Sequence, residues 1–224
     1  LGQYKIFTPN PEFIVLAQKN PIFRETLNSG DLNICDGVGL SFFSRCPRIP
    51  GVDFMLEICK IATEKNKAVY LLGSSSDEIL KKTAENLQTQ ISGLKIVGYN
   101  KGLKINLISN IQYPISFYYQ EENERIIKSI NESNADILFV AFGMVKQEQW
   151  IYENLSKLPN IKIAMGVGGS FDYISGAIRR APCFLRKIGL EWLYRLIKQP
   201  KRLGRIFNAT VVFTFIVLKN KIFK

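Results

Sequence analysis

The sequence predicts an α/β fold, a mostly parallel sheet with helices on both faces, from three observations. Short apolar runs rich in β-branched residues recur along the chain, and helical patterns lie between many of them. With 224 residues and 46% hydrophobic content, the chain can build one substantial core. Strands alternating with helices imply parallel pairing and a sheet covered on both faces, a Rossmann-like arrangement. We place this core at residues 1–178 and a helical appendage at 179–224.

The strand candidates are "YKIFT" (4–8), "LNIC" (32–35), "AVYLLG" (68–73), "LKIVGY" (94–99), "ISFYY" (115–119), "DILFVAFG" (136–143) and "IKIAMGVG" (161–168). Asn10-Pro11 reads as an N-cap followed by proline at the first helical position, opening "PEFIVLAQKN". The serines at 74–76 can cap "DEILKKTAENLQTQI", where Ile79, Ala84, Leu87 and Ile91 fit a helical period. Gln147 opens "QEQWIYENLSKL" directly after a strand and a glycine.

Ligands of such sheets sit beyond the carboxyl ends of the strands. Thr8 and Asn10 fall there, as do Asp36 to Gly39, Gly73 and Ser74, Gly143 to Gln147, and Gly168 to Ser170. Small residues let backbone amides and helix N-termini approach a phosphate or a sugar. Each glycine alone is equally a tight turn, and the set does not name the ligand. No GxGxxG opens a helix after the first strand and no GxxxxGK[ST] occurs, so a dinucleotide dehydrogenase and a P-loop NTPase fit poorly.

The chain has no histidine, which excludes Ser-His and Cys-His nucleophiles and imidazole metal sites. No D-x-D pair is present to hold a divalent ion on a nucleotide diphosphate. A general base must then be a carboxylate, lysine, tyrosine or thiolate. In "NICDGVGL", Asp36 stands between an apolar run and two glycines, where partial desolvation would raise its proton affinity. The competing reading is an aspartate that caps a following helix through Gly37. Cys35, Cys46, Cys59 and Cys183 lack CxxC or zinc-type spacing and read as reduced thiols of an intracellular protein. The first residues lack the layout of a signal peptide.

The formal net charge is +11, and all of it is local. Residues 1–178 hold 18 basic and 18 acidic residues, whereas 179–224 hold 12 basic residues against Glu191 alone. Such a tail wants an anionic partner: nucleic acid, an acidic membrane surface or a phosphorylated substrate.

Seven stretches resemble the WecG/TagA/CpsF glycosyltransferases, in that family's order. They are "TPNPEFIVLA", "NICDGVGL", "YLLGSSSD", "LKIVGYNKG", "ADILFVAFGMVKQEQWI", "GVGGSFDYISGAIRRAP" and "GLEWLYRLIKQPKRLGR", between about Phe7 and Arg205. The resemblance implies an inverting enzyme that needs neither metal nor cofactor. It would move an N-acetylmannosamine-type sugar, or a related hexose, from a UDP donor to N-acetylglucosamine on an undecaprenyl diphosphate carrier. Asp36 falls on the family's proposed catalytic base, and Thr8 and Asn10 on pocket positions beside it. Gln147 matches the glutamine of G-x-P-x-Q-E, here "GMVKQE", with Val145 where the family usually has proline. Arg48, with Arg45 as rival, aligns with a pocket arginine if a few residues are deleted in "SFFSRCPRIPGVD".

The tail "RAPCFLRKIGLEWLYRLIKQ" reads as one amphipathic helix with Leu185, Ile188, Trp192, Leu193, Leu196 and Ile197 apolar. Arg195, Lys198, Arg202 and Arg205 share a stripe if helical phase survives Pro200. In the family this appendage closes over the active site, and Arg195, Arg202 and Arg205 fit the arginines that meet the donor diphosphate. The uncharged run 206–218 would reach about 20 Å as a helix, short of a hydrocarbon core of about 30 Å. It is expected to lie in the membrane interface or pair with another subunit.

The reading is therefore a glycosyltransferase peripheral to the cytoplasmic face of a bacterial membrane. Its partners would be a UDP-sugar, a polyprenyl-diphosphate-linked acceptor and anionic lipid, with homo-oligomerisation open. A basic nucleic-acid-binding module is the rival, suggested by pI ≈ 9.5 and the Arg/Lys and aromatic mix of 179–207. Thirteen apolar residues following the basic stretch speak against it.

Overall fold

The computed structural model describes residues 2–104, 119–200 and 203–222. The strand expected over 115–119 lies almost wholly outside them, as does Arg202. Six strands form one sheet: β1 (Tyr4–Phe7), β2 (Leu32–Asn33), β3 (Ala68–Leu72), β4 (Lys95–Asn100), β5 (Ile137–Val140) and β6 (Ile163–Gly166). Their order is β2-β1-β6-β5-β3-β4, and every neighbouring pair is parallel. Around the sheet lie α1 (Pro11–Lys19), α2 (Pro21–Asn28), α3 (Val38–Ser44), α4 (Gly51–Glu64), α5 (Asp77–Gln90), α6 (Gln120–Glu132), α7 (Lys146–Asn154) and α8 (Ser170–Ile174). The tail adds α9 (Cys183–Lys187), α10 (Glu191–Lys198), α11 (Leu203–Phe207) and α12 (Phe213–Ile222), the last two joined by a wide helical turn, Asn208–Val212.

Strand side chains alternate between two cores, as a pleated sheet buried on both faces requires. Phe7, Tyr70, Leu72, Leu138, Val140 and Ala164 face one core with Phe13, Phe23, Ile126 and Trp150. Ile6, Val69, Leu71, Ile137, Phe139 and Met165 face the other with Met55, Leu80, Leu87 and Phe171. The β3–β4 register slips between Val69 and Tyr70, beside Gly98. A Cβ at Gly98 would stand 2.6 Å from the Tyr70 ring, so glycine is what lets the ring lie across β4.

Two helix starts follow their sequence signals. Asn10, extended at φ −127°, accepts the amides of Glu12 (2.9 Å) and Phe13 (3.4 Å), with Pro11 behind it. Ser76 accepts the Ile79 amide at 3.3 Å. The β2 ladder is shorter than expected, ending at Asn33, and so leaves Ile34 to Gly37 as a loop.

The single amphipathic helix expected over the tail is corrected: it breaks at Gly189. That residue adopts φ 79°, Leu190 N–H bonds the Leu185 carbonyl (2.8 Å) and Gly189 N–H bonds that of Arg186 (3.2 Å). These two bonds make a Schellman closure, which glycine permits without Cβ strain. The single stripe of Arg195, Lys198, Arg202 and Arg205 is corrected too, since α10 ends at Lys198 ahead of Pro200. Nor does the whole run 206–218 face outward. Phe213 is 2% exposed, set edge-on against Phe43 at 5.7 Å, while its helix packs on α1. No helix among the described residues is long and apolar enough to cross a membrane.

A buried polar triad ties α6 to α7. Trp150 Nε1 donates to Asn123 Oδ1 (2.7 Å), Asn123 Nδ2 to Asn154 Oδ1 (2.9 Å), and Asn154 Nδ2 to the Trp150 carbonyl (2.9 Å). Asn123→Ala leaves a buried indole N–H and a buried amide oxygen unpaired, so it should cost about 2–4 kcal/mol. Urea unfolding should show a lower midpoint at unchanged slope; a loss below about 0.5 kcal/mol would mean the triad contributes nothing net.

Candidate active site

Among the described residues all six strands point the same way, so their carboxyl ends open onto one edge, where a cavity of about 900 Å³ lies. Thr8, Asn10, Asp36, Arg48, Gln147, Arg195 and Arg205 all line it. Arg45, the rival of Arg48, is an exposed residue at the end of α3, at φ 59°.

Asp36 reaches the cavity through a tight crossing of two loops. Its amide donates to the Pro9 carbonyl at 3.1 Å. At Gly37 an added Cβ would sit 2.4 Å from Pro11 Cδ and 3.2 Å from Asn10 Cβ. Glycine is needed there for close approach, since φ is an ordinary −95°. Thr8 is buried against β6, its Oγ1 3.4 Å from the Gly166 carbonyl.

The Asp36 carboxylate does cap a helix, but a distant one. Oδ1 accepts the Gly51 amide at 3.0 Å, at the N-terminus of α4, while α3, which follows Gly37, has no side-chain cap. Burial raises the Asp36 pKa, with Glu191 adding to the rise. The Gly51 N–H, Arg48 and Arg180 act the other way. Capping and facing the cavity are therefore compatible: one oxygen is held by a backbone amide, and the group keeps raised proton affinity.

Arg48 donates from Nε to the Asp36 carbonyl (3.2 Å), from Nη1 to the Arg186 carbonyl (2.8 Å) and from Nη2 to Glu191 Oε2 (3.2 Å). Arg180, to which the sequence reading gave no role, forks onto Asp53 at 2.5 and 3.0 Å and reaches Glu191 Oε1 at 3.3 Å. That pairing holds the Asp53 carboxyl below its usual range despite burial.

Gln147 and Glu148 secure the opposite loops. Gln147 Oε1 accepts the Gly168 amide (2.9 Å), and its Nε2 donates to Glu148 Oε1 (2.6 Å). Glu148 Oε2 takes the Val145 amide at 2.7 Å. Glu148 is fully buried, and desolvation pushes its pKa up to about 7. Val145 sits at φ 74°, a strained position for a β-branched residue. Proline, fixed near −65°, cannot enter it, so this loop takes a course closed to the residue usual at that position.

The tail supplies two arginines. Arg195 stacks over the Tyr173 ring at 5.1 Å beside Gly169, and its buried Nε has no hydrogen-bond partner among the described residues. Arg205 is paired with Glu12, Nε at 2.9 and 3.1 Å and Nη2 at 2.9 Å, which anchors the tail to the first turn of α1. Glu12, Asp53, Arg180 and Glu191 are thus the site groups that sequence reasoning missed, while Glu148 was named only as the last residue of the G-x-P-x-Q-E match. For Glu191 a signal existed, since it is the only acid in 179–224.

Comparison with known proteins gives the family. The family described as "Glycosyl transferase WecG/TagA/CpsF family" matches residues 2–224. The chain belongs to that family. This glycosyltransferase is 31% identical over 209 residues to an N-acetylglucosaminyldiphosphoundecaprenol N-acetyl-beta-D-mannosaminyltransferase of Bacillus subtilis (strain 168), covering 91% of this chain and 75% of that one. A protein of the same name from Staphylococcus aureus (strain MW2) is 30% identical over 222 residues, 96% of this chain and 80% of the relative.

Glu148 offers a test of the loop mechanics. Its pKa rises from 4.5 to about 7 on folding, so its contribution to stability is fully present below 4.5 and is lost as pH climbs through 7. That loss amounts to ~3 kcal/mol. Glu148→Gln carries no titrating proton and loses one of the two accepted hydrogen bonds, so its Tm starts lower, but melting curves should show a smaller drop between pH 5 and pH 8 than the parent shows. Equal drops in both proteins would contradict the assignment.

Proposed function

We propose that this glycosyltransferase moves an N-acetylmannosamine-type sugar from a UDP donor to an N-acetylglucosamine carried on a polyprenyl diphosphate. The observation that carries the reading is the pairing of one base with several cations in a single cavity. Asp36 stands at the Arg48 wall, and arginines from the tail line the same space. The relatives' names supply the sugar and the acceptor.

In this reaction Asp36 takes the proton of the acceptor hydroxyl as its oxygen attacks the anomeric carbon. The bond from that carbon to the diphosphate oxygen breaks, and its electron pair leaves with UDP. One displacement inverts the anomeric centre. Arg195, Arg205 and Arg202 are assigned to the leaving diphosphate, where fixed positive charge does what a metal does elsewhere. Arg205 must then share its fork between Glu12 and the donor. Thr8, Asn10 and Gln147 shape the floor and hold the loops. We read 1–178 as the catalytic core and 179–224 as the appendage that closes the cavity and docks on the cytoplasmic face of the membrane. Exposed Ile188, Ile197, Phe207, Val211, Phe215 and Leu218 support that docking. A nucleic-acid module gains no support, because Arg195 and Arg205 line the cavity.

Asp36→Asn should lower kcat by about 10² to 10⁴ with UDP affinity near that of the parent. Turnover at the parent rate in a normally folded variant would remove Asp36 from the mechanism. In excess EDTA, transfer should persist; loss that Mg²⁺ or Mn²⁺ restores would count against arginine-borne leaving-group stabilisation.

Membrane docking is separable from chemistry. Val211→Asp with Phe215→Asp should weaken binding to anionic vesicles and spare turnover on a short, water-soluble acceptor. Unchanged vesicle binding would show that this face does not dock.

A further inference from the structure

Glu191 stands out once the charges around the cavity are traced. It is the only acid in the last 46 residues, and both of its oxygens are used by arginines from different parts of the chain. Arg48 comes from the loop before α4 and Arg180 from the start of the tail. The three side chains are 17–20% exposed, so the contacts are only weakly screened. Asp53 completes a chain of alternating sign, Asp53–Arg180–Glu191–Arg48, that is neutral as a unit. Among the described residues Arg48 has three acceptors, and Glu191 is the only charged one. One turn beyond Glu191 on α10 stands Arg195.

We propose that Glu191 is a positioning residue of the transfer reaction: it holds Arg48 against the Asp36 loop and locks the helix carrying Arg195 over the cavity. The inference rests on the sugar-transfer reading given above. Without the carboxylate, Arg48 keeps only two carbonyl partners and Arg180 only Asp53, so α10 loses its charged tie to the core.

The electrostatic consequence can be read separately. The charged and titratable groups about Asp36 are Arg48, Arg180, Glu191 and the Cys35 thiol, with Asp53 behind Arg180; Glu12, Arg195 and Arg205 line the same cavity. Glu191 opposes the two nearer arginines at Asp36. Replacing it by a neutral isostere leaves Arg48 without a paired carboxylate and Arg180 with Asp53 alone, so Asp36 ionises at lower pH and becomes a weaker base.

The experiment compares the parent, Glu191→Gln and Glu191→Asp with a UDP-sugar donor and a water-soluble diphosphate-linked acceptor. Tm and the pH profile of kcat/KM are followed alongside turnover. Glu191→Gln should lower kcat about tenfold, with a smaller change in donor KM, and move the acidic limb of the profile to lower pH. Glu191→Asp keeps the charge but shortens the reach, so it should lose a few-fold in kcat and leave the limb in place. A Glu191→Gln protein with parental kcat and an unmoved limb overturns the proposal, as does a loss of activity that merely follows a loss of Tm. If Glu191→Gln does not fold, Glu191→Asp decides, and parental kcat there overturns it. A parent that transfers no sugar instead refutes the functional reading itself, and this inference falls with it.

Discussion

Parallel pairing is the constraint on which the rest of this structure depends. Because no strand among the described residues reverses direction, each one delivers its chain to the same edge of the sheet, and parallel neighbours need a crossover, usually a covering helix. The two cores on either face follow from that, and so does the concentration of chemistry at a single edge. Thr8 follows β1, Ala141 to Gly143 follow β5, and Val167 to Ser170 follow β6, with no chain spent on bringing them together. The site is a by-product of strand direction, and its specificity comes from what the loops carry.

What the loops carry is charge under restraint. A tail with a surplus of eleven positive charges would be expected to spread them over its surface. Several are instead turned inward and met by acids, Arg180 by Asp53 and Glu191, Arg205 by Glu12. Such pairs are partly buried, and their value lies in geometry more than in net stability, because desolvation offsets much of the Coulomb attraction. The cavity thereby keeps cations at fixed places near a carboxylate without allowing either to neutralise the other by direct contact. Asp36 is held by a backbone amide, and Arg48 touches its carbonyl, not its carboxylate.

Much of the fold was legible because its signals are local. Asn10-Pro11 and Ser76 start helices by side-chain capping within three residues, and apolar runs marked each of the six described strands. The reach of β2 was not legible, since it pairs over only two of the four residues expected and no local pattern reveals where an edge ladder stops. The tail was read as one helix because apolar spacing persists across Gly189, whose left-handed turn overrides the spacing. Asp36 and the arginines of the site could be named from residue type and the resemblance. The pairings with their acidic partners could not, since Glu12 meets Arg205 across 193 residues and Glu191 meets Arg48 across 143, and separations of that size leave no trace in a local pattern. The burial of Glu148 was illegible for another reason: an acid in the first turn of a helix ordinarily faces water, and only packing against Gly166 shows it to be sealed.

The Glu12–Arg205 and Arg48–Glu191 contacts also bear on how the protein is made. Translation proceeds from the amino end, so α1 is complete long before Arg205 exists. The centre of the sheet waits as well, since β1 pairs with β6 through Tyr4 and Ile163. Until β6 emerges, a nascent β1 has only β2 beside it, through Ile6 and Leu32, and its other edge stays open; long-range pairing of this kind is slow and prone to misassociation. A chain ended before Glu191 would carry the sheet without the contacts that Glu191 and Arg205 make to Arg48 and Glu12.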